Sequence, residues 1–546
     1  MLTKLNRIQC PRVSTLVRVM LATVLFLFPA MESWAAPAKL ALTGGRIITV
    51  SGAAIEKGTI LIEDGIITAV GDESLEIPYD AMEVDCTGMI LAPGFVHPHS
   101  KNGLDVPNEN LPVAPFVDVY DAIDPSRFFF EDSLRNGVST IHVMQGDNCV
   151  VAGVSRIVHP IGLSPDEMTS MAGIALKMST SPRNGYDRLR QLAELREVFS
   201  EYDRWREDLA EKRYEQEAES DEELDPLPPE EARAKGIEMI RDEDLDDRHR
   251  NLAKLEDGRL GVWIYCGSAS DVAPALTLIS DRGWKDRAVL VLGGDSHLAV
   301  KEIAESGLPV VLDDDLVHRK RDVISGDVVE TFVPSVFAKA GVKFAIQPSE
   351  NGSMPERFLG YQAARLARAG MSQEKALRTV TLTAAEICGV ADRYGSIEVG
   401  KVGNIVMWTA DPLELTSWVQ KVWIKGILAY DREQDARLQR LFPDPETPPA
   451  PEGEPLQTEG EGEAEPGTDE KSTKESDAKK PAVKPTPLKE SKEGNKPGTK
   501  PGEKPKEKPG EKPGEKPGEK PGEKPGEKPG EKPSDKPGEK PGGGGR

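Results

Sequence analysis

Several things are missing from this sequence, and each absence closes off a class of function. There is no glycine-rich phosphate loop ending in Lys-Ser or Lys-Thr, no dinucleotide fingerprint and no G-x-S-x-G elbow. Nucleotide, dinucleotide and α/β-hydrolase chemistry therefore have no recognisable seat. Asp295-Ser-His297 juxtaposes triad-type residues, but sequence neighbours at a helix start do not converge. Cysteine is scarce and never spaced as C-x-x-C. Cys86, Cys149, Cys266 and Cys388 lie far apart and read as buried thiols rather than a disulfide framework. Positive charge is outweighed, 69 Lys and Arg against 92 Asp and Glu, for a formal net charge of -23. That balance argues against nucleic acid and anionic membrane surfaces as partners.

Long apolar runs are missing too. The longest, Met20 to Ala30, is well short of the ~20 residues that span a bilayer. It follows a basic front (Lys4, Arg7, Arg12, Arg18) and precedes Ser33-Trp34-Ala35, the layout of a secretory signal over residues 1–35. Cys10 precedes the apolar run and is not placed for lipid attachment. The expectation is an exported protein, periplasmic or extracellular, with no transmembrane span in the mature chain. At the other end, residues 433–546 are rich in Pro, Gly, Glu and Lys, and from Lys500 a Lys-Pro-Gly-Glu tetrad repeats nearly to Arg546. With almost no apolar residues this tail cannot build a core, and it reads as a disordered spacer whose partner the sequence does not specify.

Between these ends lies one sizeable globular region. Leu40 to Val70 falls into short β-like runs separated by Gly and Glu-Asp-Gly turns. From Pro93 onward, strand-like segments (Val138 to Met144, Ala288 to Leu292, Leu308 to Leu312, Val342 to Ile346) alternate with helical ones, the pattern of a parallel α/β architecture. Phe129 to Gly137 and Val333 to Ala340 read as helices, and Thr383-Ala-Ala-Glu386 has the spacing of a capping box. A charged, mainly helical stretch at about 186–255, broken at Asp225-Pro-Leu-Pro-Pro-Glu230, interrupts the rhythm.

The organising stretch is Met89 to Lys101, M-I-L-A-P-G-F-V-H-P-H-S-K. It reads as a strand, a Pro93-Gly94 break and a second strand. The alternate residues His97, His99 and Lys101 of that second strand project to one side, and two imidazoles at i and i+2 suit a metal ion. The chain here resembles the amidohydrolase superfamily, in particular its imidazolonepropionase-like branch, whose members carry P-G-F-[IV]-D-x-H-x-H at the first strand of a (β/α)8 barrel. The resemblance extends over about Leu40 to Tyr430 and includes Gly395 to Glu414. It implies a TIM-type barrel over 93–392, inserted into a small β-sandwich formed by 37–92 and 393–432, with the chemistry at the carboxyl ends of the strands. It also implies a divalent metal such as zinc, and hydrolysis of a non-peptide carbon–nitrogen bond in a small, cyclic amide-type substrate.

Position by position, the implied metal site is altered. Counting from Gly94, the family's Asp falls on His97, its first His on His99 and its second His on Lys101. The bridging Lys of some relatives is expected after the third strand, where His159 stands. The fifth-strand histidines become Tyr265 and Gly267, the sixth-strand E-H-G becomes Leu292-Gly293-Gly294, and the eighth-strand Asp falls on Pro348. Relatives usually have Asp where Asn404 sits. Three arrangements of the remaining polar residues stand open. His97, His99 and His159 could form a shifted metal site with Glu350 as base, against a reading as polar lumen filling. Asp313-Asp314-Asp315 with His318 could act together, against a polar loop. Lys101 could polarise a carbonyl while His159 moves protons, with no metal at all. His142 reads as a core or lumen residue, His249 as part of a solvated helix face, His297 as ambiguous, and Tyr265 as packing. Two functions follow: a carbon–nitrogen hydrolase, or a catalytically silent exported relative that holds a small ligand or a partner.

Overall fold

The computed structural model describes residues 39–220, 224–349 and 357–441. The signal-like segment, Cys10, Glu350 and the repeats from Lys500 onward lie outside the described residues. Both ends of the globular region enter one eight-stranded sheet. β1 (Lys39–Ile47), β2 (Ile55–Glu63), β3 (Ile66–Asp72), β4 (Met82–Asp85) and β5 (Ile90–Pro93) come from the amino end. The pairing that joins the two ends is antiparallel and runs from Pro93 opposite Ile405 to Ile90 opposite Trp408. Leu42, Ile47, Ile60, Ile62, Leu91, Ile405 and Trp423 form its shared core, so residues more than 300 positions apart are held by one apolar layer.

The chain enclosed by this sheet builds a second set of eight strands. They are β6 (Phe95–Ser100), β7 (Val138–Val143), β8 (Val151–Val158), β9 (Thr169–Ser179), β10 (Gly261–Cys266), β11 (Ala288–Leu292), β12 (Val310–Leu312) and, after the hairpin β13 (Val317–Arg321) and β14 (Val328–Phe332), β15 (Phe344–Ile346). The strands pair in chain order, β6 through β12 and then β15, as a nearly closed α/β barrel of the TIM type. Alternation sorts their residues into two layers. Phe95, Ile141, Leu176, Ile264, Leu290 and Ile346 face the surrounding helices. Val96, Ala175, Trp263, Val289, Val291, Val311 and Ala345 fill the lumen. The first sheet, not the barrel, is completed from the carboxyl end by β16 (Ile405–Trp408), β17 (Val419–Ile424) and β18 (Ile427–Asp431).

One strand departs from the expected direction. β8 is antiparallel to both β7 and β9, while the other neighbouring pairs of the barrel are parallel. The chain therefore turns straight back after β7 at the mouth, and turns again after β8 at the opposite end, where the link holds only the one-turn helix Pro165–Met168 in place of a full crossover helix. The charged excursion is mainly helical where described: Arg188–Ser220 is a 33-residue helix, followed by Pro229–Gly236 and Arg250–Glu256, with links between them that are not α-helical. The helix near Thr383 begins two residues earlier than the capping box implies. It spans Leu382–Ile387 with Thr381 as N-cap, and Glu386 pairs with Arg378 at 2.9 Å instead of reaching back to a cap. Cys86, Cys149, Cys266 and Cys388 are buried free thiols. No helix among the described residues is long and apolar enough to cross a membrane.

Candidate functional site

The first strand does not aim its two histidines at one point. The pairing of β6 with β7 slips between His97 and Ser100, a bulge that breaks the alternation. His97 turns to the helix layer, where its ring meets Phe129 edge-on at 6.1 Å and lines a cavity of about 130 Å³ with Asp132, Ser133, Arg357 and Leu359. His99 turns into the lumen, with its ring nearly parallel to that of Trp263. The slip is the physical reason why the i, i+2 geometry expected of His97 and His99 is not realised.

His99 is the centre of a buried polar chain. Lys177 Nζ lies 2.8 Å from His99 Nε2 and 2.7 Å from Asp147 Oδ1, and Lys177 is completely buried. On the other side of the ring, His99 Nδ1 is 3.0 Å from Gln347 Oε1, and Gln347 Nε2 donates to Asp313 Oδ1 at 2.9 Å. Asp313 Oδ1 also accepts from the Asp314 backbone N–H at 2.8 Å, so Oδ1 takes two N–H donors and a proton on this carboxyl belongs on Oδ2. That fixes the direction of the chain: Gln347 presents its carbonyl to His99, His99 Nδ1–H donates to it, and His99 Nε2 is left as a lone pair facing the Lys177 ammonium. Burial, and then the Lys177 charge, hold the His99 pKa well below its ordinary value. His99 is a neutral acceptor.

Each member reaches the mouth from a different strand end. His99 is on β6, Lys177 near the end of β9, Tyr265 on β10, Asp313 just past β12 and Gln347 just past β15. Asp147 sits in the turn between β7 and the reversed β8, and with its side chain a quarter exposed (26%) it links the buried pair to solvent. Burial alone would raise the Asp147 pKa, but the charges of Lys177, His99 and Lys101 hold it below the usual carboxylate value. Lys101, two residues past His99, lies against Gly146 of the same turn and acts on Asp147 through its charge.

Tyr265 fills the space beside this chain. Its ring centroid is 5.7 Å from Lys177 Nζ, and burial pushes its phenol pKa up, so it stays neutral. A Cβ at Gly267 would lie 3.0 Å from Tyr265 Oη and 2.6 Å from Ser181 Oγ. One at Gly293 would lie 2.8 Å from Tyr265 Oη and 3.0 Å from Asp313 Oδ2. Among the described residues no group of three or more His, Cys, Asp or Glu side chains is placed to hold a metal ion.

His159 does not join the mouth. Because β8 runs backwards, the residue that follows its last position lies at the opposite pole of the barrel. There His159 Nδ1 meets Ser139 O at 2.8 Å at the start of β7, and Nε2 lies 3.3 Å from Tyr394 Oη. Asn404 Nδ2 is 3.5 Å away, so Asn404 belongs to that far end too. A three-imidazole site of His97, His99 and His159, or a relay between Lys101 and His159, is therefore not assembled. His142 has both ring nitrogens within hydrogen-bonding distance of a partner, Pro98 O at 3.1 Å and Ser155 Oγ at 2.7 Å. His249 is not on a solvated face: it is the N-cap of the helix Arg250–Glu256 and stacks on Trp205 at 4.1 Å. His297 is buried against His318, with ring centroids 4.8 Å apart. Of the three aspartates after β12, Asp313 enters the site through Gln347.

Sequence reasoning missed Lys177, Asp147 and Gln347. Lys177 had a visible signal, a lone cation in the apolar run Ile174 to Met178, where a charge demands a buried partner. Gln347 stands one position before Pro348, where the eighth-strand acid was expected.

Comparison with known proteins agrees with this architecture. A model of the amidohydrolase family matches residues 335–428. An imidazolonepropionase of Pseudomonas fluorescens is 37% identical over 86 residues, 15% of this chain and 21% of that protein. One of Pseudomonas aeruginosa is 36% identical over 111 residues, 19% of this chain and 27% of that protein. The chain thus spans well under half the length of the curated relatives it matches. The crystal structure of an amidohydrolase from Thermotoga maritima superposes with a TM-score of 0.60 at 23% identity, covering 72% of this chain and all of the other, a likeness of fold. With its barrel fold, its strand-one pattern and these partial matches, the chain is similar to the amidohydrolase superfamily and, among the curated relatives, to imidazolonepropionases.

Proposed function

We propose that this protein is a hydrolase of non-peptide carbon–nitrogen bonds in a small, cyclic amide-type substrate, acting at the barrel mouth through Lys177, His99 and Asp147. The observation that carries the reading is the buried Lys177, held 2.8 Å from His99 and 2.7 Å from Asp147 at the carboxyl ends of the strands. Polar groups buried at that end of such a barrel serve chemistry more often than stability. An ammonium aimed by two partners can donate to a substrate carbonyl oxygen as negative charge develops on it. Asp147, reaching solvent, can orient the attacking water. The residues present do not fit a hydrolytic zinc, which needs about three protein ligands and an open position. Gly267, Gly293 and Pro348 offer no side-chain donor, and no step is routed through a metal here.

The test is a panel of cyclic amides, imides and N-acyl compounds followed by NMR for ring opening or acyl release. Turnover of at least one compound is expected, with kcat/KM lowered roughly 100-fold or more by Lys177→Met or by His99→Ala. A second reading, a catalytically silent protein that holds a small ligand, is favoured by one observation: Tyr265 occupies the space that side chains at Gly267 and Gly293 would need. Saturable binding of a panel compound, with no turnover, would select it. We also propose that the protein is exported, with the repeat tail as a spacer. Cell fractionation that finds the full chain only in the cytoplasm would refute this.

A further inference from the structure

We propose that the ammonium of Lys177 is the resident cation of this barrel mouth, a tethered charge standing where the resemblance implies a metal ion. Three observations converge on it. The imidazole that β6 sends into the lumen, His99, has its Nε2 lone pair directed at Lys177 Nζ, with Nδ1 committed to Gln347. The carboxylate nearest to that imidazole, Asp147, lies 3.7 Å from His99 Nε2 but 2.7 Å from Lys177 Nζ, so its charge answers the lysine. The volume in which ligands from the fifth and sixth strands would stand is taken by Tyr265, whose hydroxyl lies within 3.0 Å of a Cβ built at Gly267 or Gly293.

A fully buried ammonium with no carboxylate partner is costly, and a carboxylate three-quarters covered, as Asp147 is, loses stability when its cation is removed. Lys177 and Asp147 therefore stabilise each other as a unit, and a divalent ion entering between His99 and Asp147 would meet a fixed positive charge. Tethering has a further effect: the charge needs no loading step and does not depend on metal supply or chelation. The inference rests on the mouth being the functional site, but its test uses no substrate. Absence of turnover would remove the hydrolase reading and leave this one standing, and bound metal would do the reverse.

The experiment uses the full-length chain, dialysed against zinc or manganese and then against metal-free buffer. Metal content and melting temperature, with and without chelator, are compared for wild type, Lys177→Met and the double variant Lys177→Met/Asp147→Asn. Wild type is expected to retain no stoichiometric metal and to melt at the same temperature with chelator. Lys177→Met should melt lower, on the order of 5 °C, and Asp147→Asn should recover part of that loss by removing the stranded carboxylate. One equivalent of metal in the wild type that is lost on His99→Ala would overturn the proposal. So would a Lys177→Met protein that melts like wild type, or a double variant that recovers nothing.

Discussion

His99 Nδ1 and Gln347 Oε1 are 3.0 Å apart, and this contact decides which face of the imidazole is basic. Because Gln347 donates to Asp313 with its amide group, only its carbonyl is left for His99, and the ring holds its proton on Nδ1. Gln347→Leu should break the chain at both ends, leaving the His99 N–H and an Asp313 oxygen short of a partner. A loss of about 1–3 kcal/mol is expected in denaturant unfolding. Nitrogen-15 chemical shifts of His99 should change from a single Nδ1–H tautomer to a mixture, and an unchanged spectrum would contradict the assigned direction.

The two histidines of the first strand should behave differently on replacement. His97 faces Phe129 and Asp132, away from Lys177, so His97→Ala should lower stability while leaving turnover or ligand affinity at the wild-type level. His99→Ala should remove either one. Equal functional losses from the two variants would show that both imidazoles serve the mouth.

Asp313 gives the fold a pH dependence of unusual sign for a carboxylate. Burial, reinforced by Asp314, raises its pKa from 3.8 to about 7. The folded chain keeps a proton that the unfolded chain gives up, so this residue's contribution to stability is complete below pH ~4 and is lost as the pH rises toward ~7. Asp313→Asn should flatten that part of the stability profile in denaturant titrations across the range. The same slope in wild type and variant would exclude Asp313 as its source.

Asp435 works in the opposite sense. Its hydrogen bond with Arg135, whose Nε lies 2.6 Å from Asp435 Oδ2, holds its pKa at about 2, against 3.8 ordinarily. The stabilisation is present above the unfolded value and is lost as the pH falls toward 2. Asp435→Asn should cost about 1–3 kcal/mol at neutral pH and loosen the segment after β18 from the helix Phe128–Arg135. Faster amide exchange over residues 427–441 is the readout.

Crowding at the mouth can be tested by adding one carbon. Gly293→Ala places a Cβ 2.8 Å from Tyr265 Oη, and overpacking of this kind costs about 1–3 kcal/mol. Tyr265→Phe in the same chain should relieve part of the cost. A double-mutant cycle that shows simple additivity would mean that the two positions do not compete for one space.

How far the sequence carries can be judged from particular residues. The α/β barrel was legible because its strands are apolar runs set between helices, and because Gly94 to His99 and Gly395 to Glu414 carry family-like patterns. That Gly267, Gly293 and Pro348 bring no side-chain donors is a property of the sequence itself. Orientation was not. Alternation promised that His97 and His99 would converge, and a one-residue slip sent them to different layers. His159 was assigned to the mouth on the assumption that every strand runs the same way, and the reversal of β8 carried it to the far pole. Pairing direction depends on contacts between segments distant in the chain, which no local pattern encodes.

That reversal also bears on how the molecule assembles. From Val138 to Ser179 the barrel is an antiparallel meander, joined by two short links, the second with the one-turn helix Pro165–Met168, instead of two long helical crossovers. Pairings between neighbours in sequence need little loop closure, whereas β9 must wait some eighty residues for β10. Asp147 and Lys177 both lie within this meander, so the charged pair at the mouth is brought together by contacts local in the chain and needs no pairing across the excursion 188–256.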